Sequence, residues 1–152
     1  MLTTGALVLV GTARSSSAQA EVTRGDFQAF AAGVGRPIGG HAQMVRRADG
    51  TTFVTIHVTG LEPGGRYASH VHKQRCENGA ADGHFQQNGP AAGAMPPNEI
   101  WPGGGPWSAD AGGNGNENAT VDYRANADAV SVVVHDLALP STANKVACAN
   151  LD

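Results

Sequence analysis

An all-β domain, a sandwich or barrel of short strands, is what this sequence predicts, on three observations. Charged residues make up only 15% of the chain while glycines number 21 in 152 residues, a balance that suits short strands joined by glycine turns rather than a helical bundle. Thr52–Thr59 alternates polar and apolar residues, as a half-buried strand does. No stretch of helix length carries a helical apolar period, and there is no internal repeat. The length suits one domain with one core. A net charge of −3 offers nothing to a nucleic acid.

Taken in order, residues 1–20 read as a secretory signal. Residues 2–10 are small and apolar, and Ala18-Gln19-Ala20 forms a small-x-small cleavage site. The apolar run is too short to span a bilayer, so no membrane association is expected after its removal. A disordered leader is the alternative. The expected mature domain is 21–152, placed outside the cytoplasm, either secreted or periplasmic. Residues 27–34 are a plausible first strand. Residues 39–47 follow, then Ala48-Asp49-Gly50, a hairpin signal. In 52–59 the row Val54, Ile56, Val58 is wholly β-branched and forms the core face. His57 therefore lies on the outer face, and His41 reads as a strand-surface residue.

Residues 61–65 form a turn, and Arg66–His72 is a strand ending in His-Val-His. From 73 to 107 the pattern dissolves into Gly, Pro, Asn and Ala, and so long an irregular stretch in a compact domain is usually functional or disordered. Cys76 and His84 inside it favour function. Trp101 and Trp107 are expected to cover this loop. A turn at 110–115 is followed by strands at 117–124, 129–136 and 145–149. Two cysteines, Cys76 and Cys148, stand far apart in sequence. In an oxidising compartment they read as one structural disulfide, with two free thiols or a redox pair as alternatives.

Six histidines occur. His70 and His72 share a strand face at a spacing that lets both hold one ion. His84 lies in Asp82-Gly83-His84-Phe85, and His135 ends the apolar run Val132-Val133-Val134. Imidazole is the commonest metal ligand, and an all-nitrogen set suits copper or zinc. A bare His-x-His pair is more often two surface histidines, and spacing alone does not prove that the four converge.

Five blocks in order, Ser69-His70-Val71-His72, Cys76, Gly83-His84-Phe85, Val132 through His135, and Lys145-Val146-Ala147-Cys148, resemble the copper-zinc superoxide dismutase family over most of 27–149. The resemblance implies a Greek-key antiparallel β-sandwich of that family's type. It implies one copper per chain on His70, His72, His84 and His135, and a Cys76–Cys148 disulfide. The departures are equally specific. His84 matches the histidine that the family shares between copper and zinc, yet no histidine lies between His84 and His135. That leaves a poor set for a closed zinc site. Only twelve residues separate His135 from Cys148, too few for the long charged loop of typical members. Both losses resemble the copper-only branch, so no zinc is expected.

In that branch a glutamate holds the far nitrogen of the shared histidine. Glu99 stands in the matching segment; Asp110 is the rival, though its surroundings read more simply as a turn. Lys145 falls where the family carries an active-site arginine, keeping the charge but not the planar fork. An ordinary surface lysine is the alternative reading. The implied activity is copper-dependent dismutation of superoxide, with His84, Glu99 and Lys145 as its catalytic group. Lys73 or Arg75 would help Lys145 offset the net negative charge. A monomer is expected. The alternative is a secreted copper carrier or buffer on the same scaffold; a structural or adhesive sandwich with incidental histidines is a third reading.

Overall fold

The computed structural model describes residues 19–77 and 81–152. Of the residues read as a signal, all but Gln19 and Ala20 lie outside the described residues. Among the described residues, nine strands form two antiparallel sheets. They are β1 (Glu21–Asp26), β2 (Gln28–Ala29), β3 (Gly39–Arg46), β4 (Thr52–Thr59), β5 (Arg66–His72), β6 (Trp107–Ser108), β7 (Gly115–Val121), β8 (Ser131–Asp136) and β9 (Lys145–Asn150). One sheet has the order β1-β3-β4-β7 and the other β2-β9-β8-β5-β6. The chain crosses repeatedly from one sheet to the other, which is the connectivity of a Greek-key sandwich. Helical structure among the described residues is confined to three short 3-10 turns, and none of it is long and apolar enough to cross a membrane.

The core lies between the sheets. Val54, Ile56 and Val58 of β4 meet Ala42 and Met44 of β3, and face Tyr67, Val71, Val132, Val134, Ala147 and Ala149 of the second sheet. Removal from water stabilises each large side chain here by about 2 kcal/mol. The β3–β4 hairpin closes through Asp49, whose carboxylate accepts from the Thr51 amide at 2.9 Å and its hydroxyl at 2.7 Å. His41 and His57 sit opposite one another on the outer face of the first sheet, with rings 5.8 Å apart.

Several expected elements move. Residues 27–34 are not one strand: the chain pairs first as β1, breaks at Phe27, makes the two residues of β2, and turns through Ala31–Gly33. β1 is an edge strand with polar residues on both faces and Val22 exposed, so it carries no apolar alternation to read. The strand expected at 117–124 runs Gly115–Val121. Gly115 looks like a turn residue but pairs with Val58, and a Cβ there would lie 2.4 Å from the Trp107 ring. Arg124 leaves the strand to cap the carbonyls of Arg46 and Arg47. The strand expected from 129 begins at Ser131, because Ala129 turns its carbonyl to the buried Arg46 guanidinium.

What positions the site is a third layer. β5 and β8 are buried on both faces after Arg66. One face of each meets the core, and the other is covered by the long segment between β5 and β6. That segment is tied back in three places. Cys76 is bonded to Cys148 of β9. The chain then returns antiparallel to β5, with the Lys73 amide donating to the Gly83 carbonyl and the Phe85 amide to the Val71 carbonyl. Further on, the Val71 amide donates to the Ile100 carbonyl at 3.0 Å. Between these ties the buried Asn98 knits the loop, accepting from the Asn88 amide and donating to the carbonyls of Gly89 and Gly93.

Candidate metal centre

Strand periodicity puts Ala68, His70 and His72 of β5, and Val133 and His135 of β8, on the face turned away from the core. The register sets His135 opposite Ala68 and His70 opposite Val133. Ala68 is small enough to leave room for the rings. His84 arrives from the covering loop, bridged to His72; it follows Gly83, whose positive φ of 75° favours glycine. One ligand-capable atom from each of His70, His72, His84 and His135 lies within 4.8 Å of the others, the only such group of three or more among the described residues.

The atoms that point inward are set by what the outer nitrogens touch. His72 Nδ1 donates to the Ala81 carbonyl at 2.6 Å. His84 Nδ1 donates to Glu99 Oε2 at 2.7 Å. His135 Nδ1 lies 2.9 Å from Asn144 Oδ1. Each of these three rings therefore presents Nε2 inward, while His70 presents Nδ1, 3.1 Å from His84 Nε2. His72 Nε2 and His135 Nε2 face one another at 3.4 Å. With its Nδ1 spent as a donor to a carbonyl, His72 aims an acceptor Nε2 at this point, where a cation or a proton would satisfy it.

A proton is disfavoured. Burial, reinforced by the neighbouring imidazoles, holds His70 and His72 down to about 2, and burial first among several causes holds His135 at about 4. A metal ion suits the same space. Four neutral imidazole nitrogens, three with their other nitrogen engaged, match the chemistry of copper or zinc.

Glu99 is fully buried and accepts three N–H donors: His84 and Trp101 Nε1 at Oε2, both at 2.7 Å, and Gln86 Nε2 at Oε1, 2.9 Å away. These donors suit the acceptor-only oxygens of a carboxylate. Trp101 also lays its ring 4.6 Å from that of His70. Asp110 stands elsewhere, its carboxylate spent on the amides of Gly112 and Asn114. Trp107 does not cover the metal loop. It packs in the inter-sheet core beside Tyr67, with its indole N–H on Ser69, because β6 pairs Trp107 with Tyr67 on the edge of β5.

His84 is the most exposed of the four, its side chain about one-third accessible (32%), beside an opening lined by Lys73, Phe85, Gln86 and Asp128. Lys145 Nζ donates to the Ala81 carbonyl at 3.3 Å and lies 3.8 Å from Asp82. Arg75 is paired with Asp152 and Glu77, so its charge is balanced locally. Three participants carry no signal that sequence reading could find: Gln86, Asn144 and the Ala81 carbonyl. Ala81 sits at φ 48°, a left-handed turn that presents one oxygen to both His72 and Lys145.

No protein-family model matches the sequence, and no curated protein does. The fold is similar to that of superoxide dismutase 5 of Candida albicans in its Cu(II) form, which covers 86% of this chain and 90% of its own at 20% identity, with a TM-score of 0.57. A glutamate-to-glutamine mutant of that protein matches with 18% identity, 88% and 92% coverage and a TM-score of 0.56. The chain thus has the copper-zinc superoxide dismutase type of β-sandwich, with a histidine cluster suited to a metal and one disulfide.

Proposed function

We propose that the protein is a copper-only superoxide dismutase acting outside the cytoplasm. The observation that carries this reading is the meeting of four imidazole nitrogens at one point, with the buried Glu99 carboxylate on the outer nitrogen of His84. His70, His72, His84 and His135 would hold the copper. Bound copper would supply the electron transfer by which two superoxide ions and two protons become dioxygen and hydrogen peroxide.

The protein's part is geometry, charge and protons. His70, His72 and His135 project from strands buried on both faces, so their rings are fixed before any ion arrives. His84 holds a proton at Nδ1 against Glu99 and stands nearest to solvent, which makes it the ring able to pass a proton towards bound substrate. Glu99 keeps the orientation of that ring and is itself held by Trp101 and Gln86. Lys145, beside Ala81 and Asp82, would attract the anion. The Cys76–Cys148 disulfide supports an oxidising, extracytoplasmic setting. A monomer, with the mature domain beginning after residue 20, belongs to the same reading.

Superoxide decay followed by pulse radiolysis on copper-loaded protein, beside His84→Ala, tests the proposal. Wild-type decay well above buffer and loss of it in the variant are expected; decay equal to buffer in both would remove the enzyme. A copper carrier is the second reading, favoured by a lysine in place of the family arginine and by its engagement with Ala81. It predicts a nitrogen-ligated Cu(II) resonance at one equivalent without turnover. Zinc content after loading with both metals checks the copper-only part: a second, zinc-filled site would contradict it.

A further inference from the structure

We propose that Asn144 is the positioning residue of His135, fixing its ring in the tautomer that turns Nε2 towards the metal. This rests on the reading of the four-histidine cluster as a metal site, but its first readout needs no metal. The antiparallel pairing of β8 and β9 slips at Val134/His135, so that Val134 faces Ala147 while His135 faces Lys145. Val146 is the extra residue of this bulge. The slip draws the residue before Lys145 alongside the imidazole. The Asn144 backbone is already committed, its carbonyl accepting from the Asp136 amide at 2.8 Å. Its side chain is buried and places Oδ1 2.9 Å from His135 Nδ1.

The same task is done by different groups for the other rings: a main-chain carbonyl for His72 and a carboxylate for His84. For His135 it falls to a neutral amide. A neutral acceptor leaves the imidazole a weaker electron donor than a carboxylate would, so the choice bears on how strongly Cu(II) is favoured over Cu(I). An amide can also turn over and offer its NH2 instead, so the inference is that the oxygen faces the ring. Asn144→Asp separates the two orientations, because a carboxylate only accepts.

Imidazole nitrogen NMR on the metal-free protein at neutral pH reads the His135 tautomer directly. Wild type and Asn144→Asp are expected to show a single Nδ1–H form, and Asn144→Ala a mixture with Nε2–H. Copper competition against a chelator should then show Asn144→Ala weaker by roughly 10- to 100-fold. Asn144→Asp should remain within a few-fold of wild type with a lower Cu(II)/Cu(I) potential. Two results would overturn the inference: an Nε2–H form in wild type, or a single Nδ1–H form kept in Asn144→Ala. Failure of wild type to bind copper would sink the metal reading and leave the tautomer result to decide this one.

Discussion

Glu99 is the buried group on which most of the site's polar order depends, and its two simplest replacements should behave differently. Glu99→Ala strands the donors of His84, Trp101 and Gln86 together, and a loss of about 2–4 kcal/mol is expected in the thermal unfolding of the metal-free protein. Glu99→Gln should cost much less, since a turn of the Gln86 amide restores its bond while the new carbonyl still faces His84. Its superoxide decay rate should nevertheless fall roughly tenfold, because the His84 ring loses a charged acceptor; unchanged decay and copper affinity would deny Glu99 its part. The buried imidazoles give a pH dependence of definite sign. His70 and His72 at about 2, and His135 at about 4, bind fewer protons in the fold than in the unfolded chain. Above about 6.5 they carry no penalty; as pH falls below it, each withheld proton removes up to about 1.4 kcal/mol per unit. The metal-free protein should therefore lose stability between about pH 6.5 and 4.5, before ordinary carboxylates titrate. A melting temperature flat over that range would contradict the burial argument. At this scale residue type was legible and partnership was not. Histidines in a recognisable order could be named, and Glu99 inferred from its place in the chain. Gln86 and Asn144 look like any surface amide until the chain is folded.

Among elements, the covering loop should be the most sensitive to its ties. Replacing both cysteines by serine removes the link between Cys76 and β9, and a loss of roughly 2–5 kcal/mol is expected in denaturant unfolding. Gly115→Ala tests the other end of the sandwich. The added methyl meets the Trp107 ring, and about 1–3 kcal/mol should be lost without change in copper affinity. β4, β5 and β8 could be read from sequence because two-period alternation and β-branched runs follow from facing a core. β1 could not, since an edge strand with polar residues on both faces has no such period. The loop's own order was equally hidden, because Asn98 works through main-chain groups that only tertiary folding brings within reach.

For the whole molecule, a net charge of −3 opposes an anionic substrate, and the local cations decide the approach. Arg75 is balanced by two carboxylates; Lys145, itself 3.8 Å from Asp82, and Lys73 at the opening beside His84 are the other cations that bear on it. Lys145→Glu should slow superoxide decay about tenfold at low ionic strength, and the gap should narrow as salt screens both proteins. A gap that salt leaves unchanged would mean that Lys145 acts by contact and not by field. The two-face burial of β5 and β8 has a further consequence, visible in time rather than in space. Their amides lie between the core and the loop, so no local fraying reaches them from either side. Hydrogen exchange at Val133, in β8 between β5 and β9, should proceed only through global unfolding, while amides of the exposed edge strand β1 exchange far sooner. The slowest-exchanging backbone in the protein would then be the backbone that carries His135.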